Sequence, residues 1–208
     1  MITQTKETQS ALSPQDALKA LMDGNARFVD QSPSERRLIE QVQQTATGQY
    51  PFACILSCID SRVPVEMVFD QGIGDLFSAR IAGNFVNDDI LGSMEFACKL
   101  AGAKVIMVLG HTACGGVKGA CDNAELGLLT QMVNKIKPAV KATETADGED
   151  RSSKNIDFVN RVAEENVRQN VAAIPQRSAV LKEMIDAGDV IVVGGMYDVA
   201  SGKVTEVK

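Results

Sequence analysis

Short apolar runs that alternate with helical patterns constrain this chain more than any other feature. The clearest is residues 104–109, where Val105, Ile106, Met107, Val108 and Leu109 follow Lys104 and Gly110 closes the run. Its length and β-branched content predict a strand, and the lack of polar alternation predicts burial on both faces. Residues 52–58 read the same way. Residues 76–81 predict a second strand, 189–195 a fourth, and 197–207 a fifth with a turn at Ser201-Gly202. Between them, 63–70 reads as a helix or turn. Residues 89–100 form an amphipathic helix with Ile90, Met94, Ala97 and Cys98 in its stripe, stopped by Gly102. A helix starts near Ala113 or Cys114, residues 143–154 form a surface loop, 155–174 is a helix interrupted by Pro175, and 179–187 is a helix closed by Gly188. Such alternation predicts an α/β fold, a mostly parallel β-sheet flanked by helices with right-handed crossovers.

The N-terminal part has its own pattern. Ser13 caps a helix with Pro14 at its first position. Leu18, Leu21, Met22 and Phe28 then recur at helical spacing, and the polar stretch 30–44 is helical in part. This N-terminal helical extension, residues 1–45, is expected to pack outside the main sheet, with a partner subunit as one surface for it. Residues 46–208 form the α/β core of a single domain, 1–208.

Composition narrows the function. A length of 208 residues, 45% hydrophobic and 23% charged, suits one globular domain with a real core. The apolar runs fall far short of the roughly 20 residues a bilayer span requires, so no membrane association is expected. A formal charge of −6, from 27 acidic and 21 basic residues, argues against nucleic acid and anionic membranes as partners. The start, Met1-Ile2-Thr3-Gln4-Thr5-Lys6-Glu7, is polar and lacks a signal-peptide apolar region. A cytoplasmic location is therefore expected, where thiols stay reduced. The chain has one His and five Cys. In that compartment clustered Cys and His point to metal or catalysis before disulfides.

Ligands in open parallel sheets bind beyond the carboxyl ends of strands. Those positions carry Cys58-Ile59-Asp60-Ser61-Arg62, Ala82-Gly83-Asn84 and His111-Thr112-Ala113-Cys114-Gly115-Gly116. If the two strands that end at Cys58 and His111 are neighbours, two thiolates and an imidazole converge, a set that suits catalytic zinc with an open fourth position. Cys54 lies roughly 13 Å from Cys58 along a strand, and Cys121 about 10 Å from Cys114 along a helix. Both, with Cys98, read as core residues. Asp60 and Arg62 form either a solvated turn or an orienting pair, Arg holding the carboxylate by its planar fork. That carboxylate can accept a proton from a metal-held water, or bind the metal as a fourth ligand and close the site. The amides of Gly115 and Gly116 suit an oxyanion, or the glycines serve only a tight turn.

Together these residues resemble the β-class carbonic anhydrases, over most of the chain. Cys58-x-Asp60-Ser61-Arg62 and His111-x-x-Cys114-Gly115-Gly116 resemble the two zinc motifs. Arg80-Ile81-Ala82-Gly83-Asn84 resembles the intervening segment, with Ile81 replacing a commoner Asn. Gly24-Asn25-Ala26-Arg27-Phe28 and Gly195-Met196-Tyr197-Asp198 resemble an early and a late motif. The resemblance implies one zinc ion per chain on Cys58, His111 and Cys114, with Asp60 and Arg62 as a catalytic dyad. It implies reversible hydration of carbon dioxide to bicarbonate and a proton, by a zinc-held hydroxide that the dyad orients, in a homodimer or homotetramer. It places Gln49, Phe77, Ala82, Phe96 and Gly115 around the substrate, Phe96 across a dimer interface at a position often Tyr. The bicarbonate-regulated subtype has a Trp where this chain has Ile55, and the chain contains no Trp, so the non-regulated subtype is expected. Rival readings are hydrolysis of carbonyl sulfide or carbon disulfide on the same site, metal-free Cys-His catalysis, and a non-enzymatic zinc- or bicarbonate-binding module.

Overall fold

The computed structural model describes residues 3–208. Met1 and Ile2, which open the polar start, lie outside the described residues. Helices α1 (Lys6–Ala11), α2 (Pro14–Val29) and α3 (Leu38–Thr45) precede strand β1 (Ala53–Ser57). Helix α4 (Val65–Val68), strand β2 (Leu76–Arg80) and helix α5 (Asp88–Glu95), which runs into a π-helical turn at Phe96–Leu100, lead to β3 (Val105–His111). Then come α6 (Gly115–Cys121), α7 (Gly127–Asn134), α8 (Lys137–Ala142), α9 (Ile156–Arg177), α10 (Ala179–Asp186), β4 (Ile191–Tyr197) and β5 (Val204–Val207).

The sheet order is β2-β1-β3-β4-β5. Strands β1 to β4 run parallel, and β5 pairs antiparallel with β4. The chain moves from β1 to one side for β2, then returns to the other side of β1 for β3. That reversal opens a crevice beyond the carboxyl ends of β1 and β3. Every residue of both strands is buried. Ala53, Ile55, Val105, Met107 and Leu109 face one layer of helices, while Cys54, Leu56, Ile106 and Val108 face the other. The period of two is complete, as expected for a central parallel strand.

The N-terminal expectation needs correction. Helix α2 packs on the sheet itself: Ala17 and Leu21 are fully buried beside Ala53, Ile55 and Met107. Helix α4, on that face, has four residues and covers too little. Helices α5, α9 and α10 contribute to the opposite layer, so α2 supplies the missing half. A Cβ on Gly24 would lie 1.8 Å from the Phe69 carbonyl oxygen, so only glycine allows α2 this close. Asn25 donates to the carbonyls of Val68 and Gly202 and accepts from Val204 N–H. Its start is as expected: Ser13 and Asp16 form a capping box with Pro14 in the first turn.

Three boundaries also differ. Helix α9 runs through Pro175 to Arg177, and the helical bonding resumes past the proline with Ser178 N–H on the Ile174 carbonyl before Ser178 caps α10. Tyr197 ends β4 rather than starting the fifth strand. Asp198 begins the turn, its carboxylate accepting from Ala200 N–H and the Ser201 hydroxyl, so β5 starts only at Val204. Among the described residues no helix is long and apolar enough to cross a membrane, and all five cysteines are unpaired.

Candidate metal centre

Strands β1 and β3 are neighbours, with Ser57 opposite Leu109. Cys58 follows β1 directly, His111 ends β3, and Cys114 caps α6 three residues later. Their ligand atoms lie within 4.8 Å of one another, and all three residues are buried. The Sγ atoms of Cys58 and Cys114 are 3.9 Å apart, close to the about 3.8 Å edge of a tetrahedron with Zn–S bonds near 2.3 Å.

His111 defines what the cluster lacks. Its Nδ1 lies 3.0 Å from the Thr112 carbonyl oxygen. A carbonyl only accepts, so Nδ1 carries the proton and Nε2 presents a lone pair. That Nε2 is buried and has no hydrogen-bond partner. An orphaned imidazole nitrogen facing two sulfurs is a donor set that a soft divalent cation satisfies. The residues present fit zinc.

The thiols respond to this setting. The hydrogen bond from Cys114, with the Gly83 amide, outweighs burial and draws Cys58 down to about 4. The proton held between the two sulfurs, with burial, pushes Cys114 up. Burial instead pushes Cys54 and Cys98 up to about 12 and Cys121 up to about 11, consistent with packed, protonated thiols.

Asp60 stands beside the ligand triangle. Arg62 Nε donates to Oδ1 at 2.9 Å, Nη2 to Oδ2 at 2.7 Å, and the Arg62 amide to Oδ1 at 3.0 Å. This bidentate grip holds the carboxyl well below its usual range. Asp60 Oδ2 is 3.9 Å from His111 Nε2. Arg80 donates to the carbonyls of Cys58 and Asp60, fixing the loop that carries both side chains.

The expected substrate residues divide. Ala82 adjoins Gly83, whose amide meets Cys58, and the first turn of α6 packs on this Ala82-Gly83 turn. Gly115 opens α6 with free space around it. Gln49 is exposed and sits before the amino end of β1, beside Thr45 and Ile73. Phe77 pairs in register with Cys54, roughly 13 Å along the sheet from the level of Cys58. Phe77 meets Phe96 edge to face at 6.0 Å, lining a groove of about 650 Å³ on the free edge of β2. Within one chain these three residues lie away from the cluster. Sequence reasoning missed Asn160, Asn166 and Asn170 on α9. Asn160 accepts from the Ala113 amide, Asn166 donates to the Gly83 carbonyl and Asn170 accepts from the Val86 amide. Asn166 and Asn170 interrupt the buried face of α9 at a spacing of four, a signal visible in the sequence.

Comparison with known proteins gives a consistent result. The family model described as Carbonic anhydrase matches residues 53–204. A carbonic anhydrase of Mycolicibacterium smegmatis is 35% identical over 198 residues, 92% of each chain. Among solved structures, the β-carbonic anhydrase CafA of Aspergillus fumigatus superposes with a TM-score of 0.69 at 28% identity, covering 93% of this chain and 90% of that one. A tetrameric β-carbonic anhydrase of Sordaria macrospora has a TM-score of 0.68 at 24% identity, covering 81% of this chain and 89% of that one.

Proposed function

The chain belongs to the carbonic anhydrase family, in its β class, and from that premise we propose that it holds one zinc ion through Cys58, His111 and Cys114 and hydrates carbon dioxide reversibly to bicarbonate and a proton. The observation that carries this reading is the buried, unpartnered His111 Nε2 facing two cysteine sulfurs, with an arginine-clamped carboxylate alongside.

Zinc held there supplies a Lewis acid that acidifies water toward neutral pH, and so the nucleophile that carbon dioxide needs. The protein does the rest. Asp60, kept ionised by Arg62, accepts a hydrogen bond from that nucleophile and aims its lone pair. Arg62 fixes the carboxylate by its fork, and Arg80 fixes the loop. The Gly115 amide steadies an oxygen of the product, and Ala82 walls the site. The proton leaves to water or buffer, because the only His in the chain is committed as a ligand.

Gln49, Phe77 and Phe96 join a site only if two chains meet. We place them in a cleft completed by a second subunit through the free edge of β2, where Phe96 is 51% exposed. A dimer is then the minimal unit and a tetramer its doubling; the Sordaria protein is tetrameric. Ile55 is fully buried in the core at the position where the regulated subtype has Trp, which supports an unregulated enzyme. Five unpaired cysteines suit a reducing, cytoplasmic setting.

Stopped-flow hydration with a pH indicator at about pH 8.5 tests the reading. Zinc-loaded protein should acidify the solution rapidly, a chelator should abolish this, and added zinc should restore it. Protein that holds zinc yet shows no rate above buffer overturns it.

A further inference from the structure

Metal-bearing histidines are oriented by whatever their second nitrogen bonds. For His111 that partner is a backbone carbonyl, Thr112 O. The same peptide unit carries the Ala113 amide, and that amide donates to Asn160 Oδ1 at 2.9 Å. A chain of two hydrogen bonds thus runs from α9, through one peptide plane, to the imidazole whose other nitrogen faces the sulfurs. The peptide also sits in an unusual place. Ala113 has φ +55°, a left-handed conformation that a Cβ-bearing residue adopts rarely and only where its surroundings impose it.

Two further bonds hold the neighbouring backbone. Thr112 N–H donates to Tyr197 O, and the Thr112 hydroxyl accepts from Val199 N–H. They fix Thr112 against the end of β4 and the turn after it, and neither engages the plane of the 112–113 peptide. Asn160 is the group that does. Another asparagine of α9 acts in parallel on the opposite turn. Asn166 donates to the carbonyl of Gly83, whose amide meets Cys58. One helix therefore touches the turns behind both halves of the cluster.

We propose that Asn160 is a positioning residue of the metal centre, acting on His111 through the Thr112–Ala113 peptide to keep Nδ1 protonated and Nε2 aimed at the two cysteines. This rests on the zinc reading given above. Asn160 touches neither metal nor substrate, so its signature is metal retention and imidazole state rather than a lost chemical group.

The test pairs two variants. Asn160→Leu keeps the volume and removes the acceptor; Asn160→Asp keeps an acceptor oxygen. Zinc release to a chelator should be about tenfold faster in Asn160→Leu, at the lower end of the effect of losing a histidine's outer partner. In Asn160→Asp it should stay within about twofold of wild type. Because the chain has one His, its ring nitrogens give an unambiguous long-range ¹⁵N–¹H signal. Wild type should show a proton fixed on Nδ1, and Asn160→Leu should show that proton exchanging faster. If Asn160→Leu does not fold, Asn160→Ser and the wild-type ring spectrum carry the test, with faster release in Asn160→Ser and a fixed Nδ1 proton in wild type expected. Equal release rates in wild type and the acceptor-deleted variant, or equal acceleration in Asn160→Leu and Asn160→Asp, would overturn the proposal while leaving the zinc reading intact, whereas a wild-type ring protonated on Nε2 would overturn both, because Nε2 would then have no lone pair for the metal. A wild-type chain that takes up no zinc overturns both.

Discussion

Asp60 and Asp70 are both gripped by arginine, and the donors each receives, with what stands beside it, separate their roles. A carboxylate has about four acceptor sites. Asp70 receives four donors, Arg27 Nε and the Ser34 amide and hydroxyl on Oδ2 and Arg36 Nη1 on Oδ1. Its side chain is 4% exposed, and it ties α2 and the segment before α3 to the end of α4. Asp60 receives three, all from Arg62. The site left over on Oδ2 faces the cluster. An enclosed carboxylate whose donors all come from the fold around it holds that fold, whereas one with a spare lone pair beside a nucleophile can take part in chemistry. The sequence shows Asp and Arg in both places and does not reveal this count.

The largest expected effect lies at the buried group. Asp70→Asn leaves arginine charge without its counterion and should cost about 3 kcal/mol of stability. The rate per folded, zinc-loaded molecule should be unchanged. Urea unfolding beside active-site titration checks both halves, and a lost rate per site would erase the distinction between the two aspartates.

Acid should separate them next. Burial alone would raise the Asp70 carboxyl, but Arg36, Arg27 and Ser34 overcome it and hold the group at about 2. A depressed folded value means the unfolded chain binds the proton first as pH falls. Its stabilising contribution is therefore complete above about pH 4 and lost on the way to pH 2, a span worth about 2 kcal/mol. Unfolding free energy against pH should fall in that window for wild type and less steeply for Asp70→Asn.

Arg62→Lys sharpens the other side. It keeps the charge and loses the fork. Hydration should slow about tenfold, with stability changed by under about 0.5 kcal/mol because Arg62 is 49% exposed. The smallest effect is at Asp75. Burial raises that carboxyl above its usual range, so protonation favours the folded chain and its contribution grows as pH falls. Asp75→Asn should make the acid loss slightly steeper, readable in the same pH series.

Much of the site was legible because its determinants are local. Unbroken apolar runs announce β1 and β3, and a strand end is where Cys58 and His111 fall. Ser13 and Pro14 mark the start of α2 in two residues. What escaped depends on distant parts of the chain. That α2 lies on the sheet follows from how little α4 can cover, which no local pattern states. Asn160 reaches Ala113 across 47 residues, and an isolated Asn on a helix carries no sign of it. Gln49, Phe77 and Phe96 lie away from their own chain's cluster, so the substrate role proposed for them requires a second subunit, which no local pattern states. Pro175 misled because a proline inside a helix ordinarily kinks or ends it, whereas α9 continues past it to Arg177.

The most direct test compares carbon dioxide hydration by wild type and Asp60→Asn at equal, measured zinc content. The variant should keep one zinc per chain and wild-type stability within about 1 kcal/mol, and lose about a hundredfold or more in rate. An Asp60→Asn protein that retains zinc and hydrates carbon dioxide at the wild-type rate would contradict the account, because the spare lone pair on Oδ2 would then have no part in the reaction.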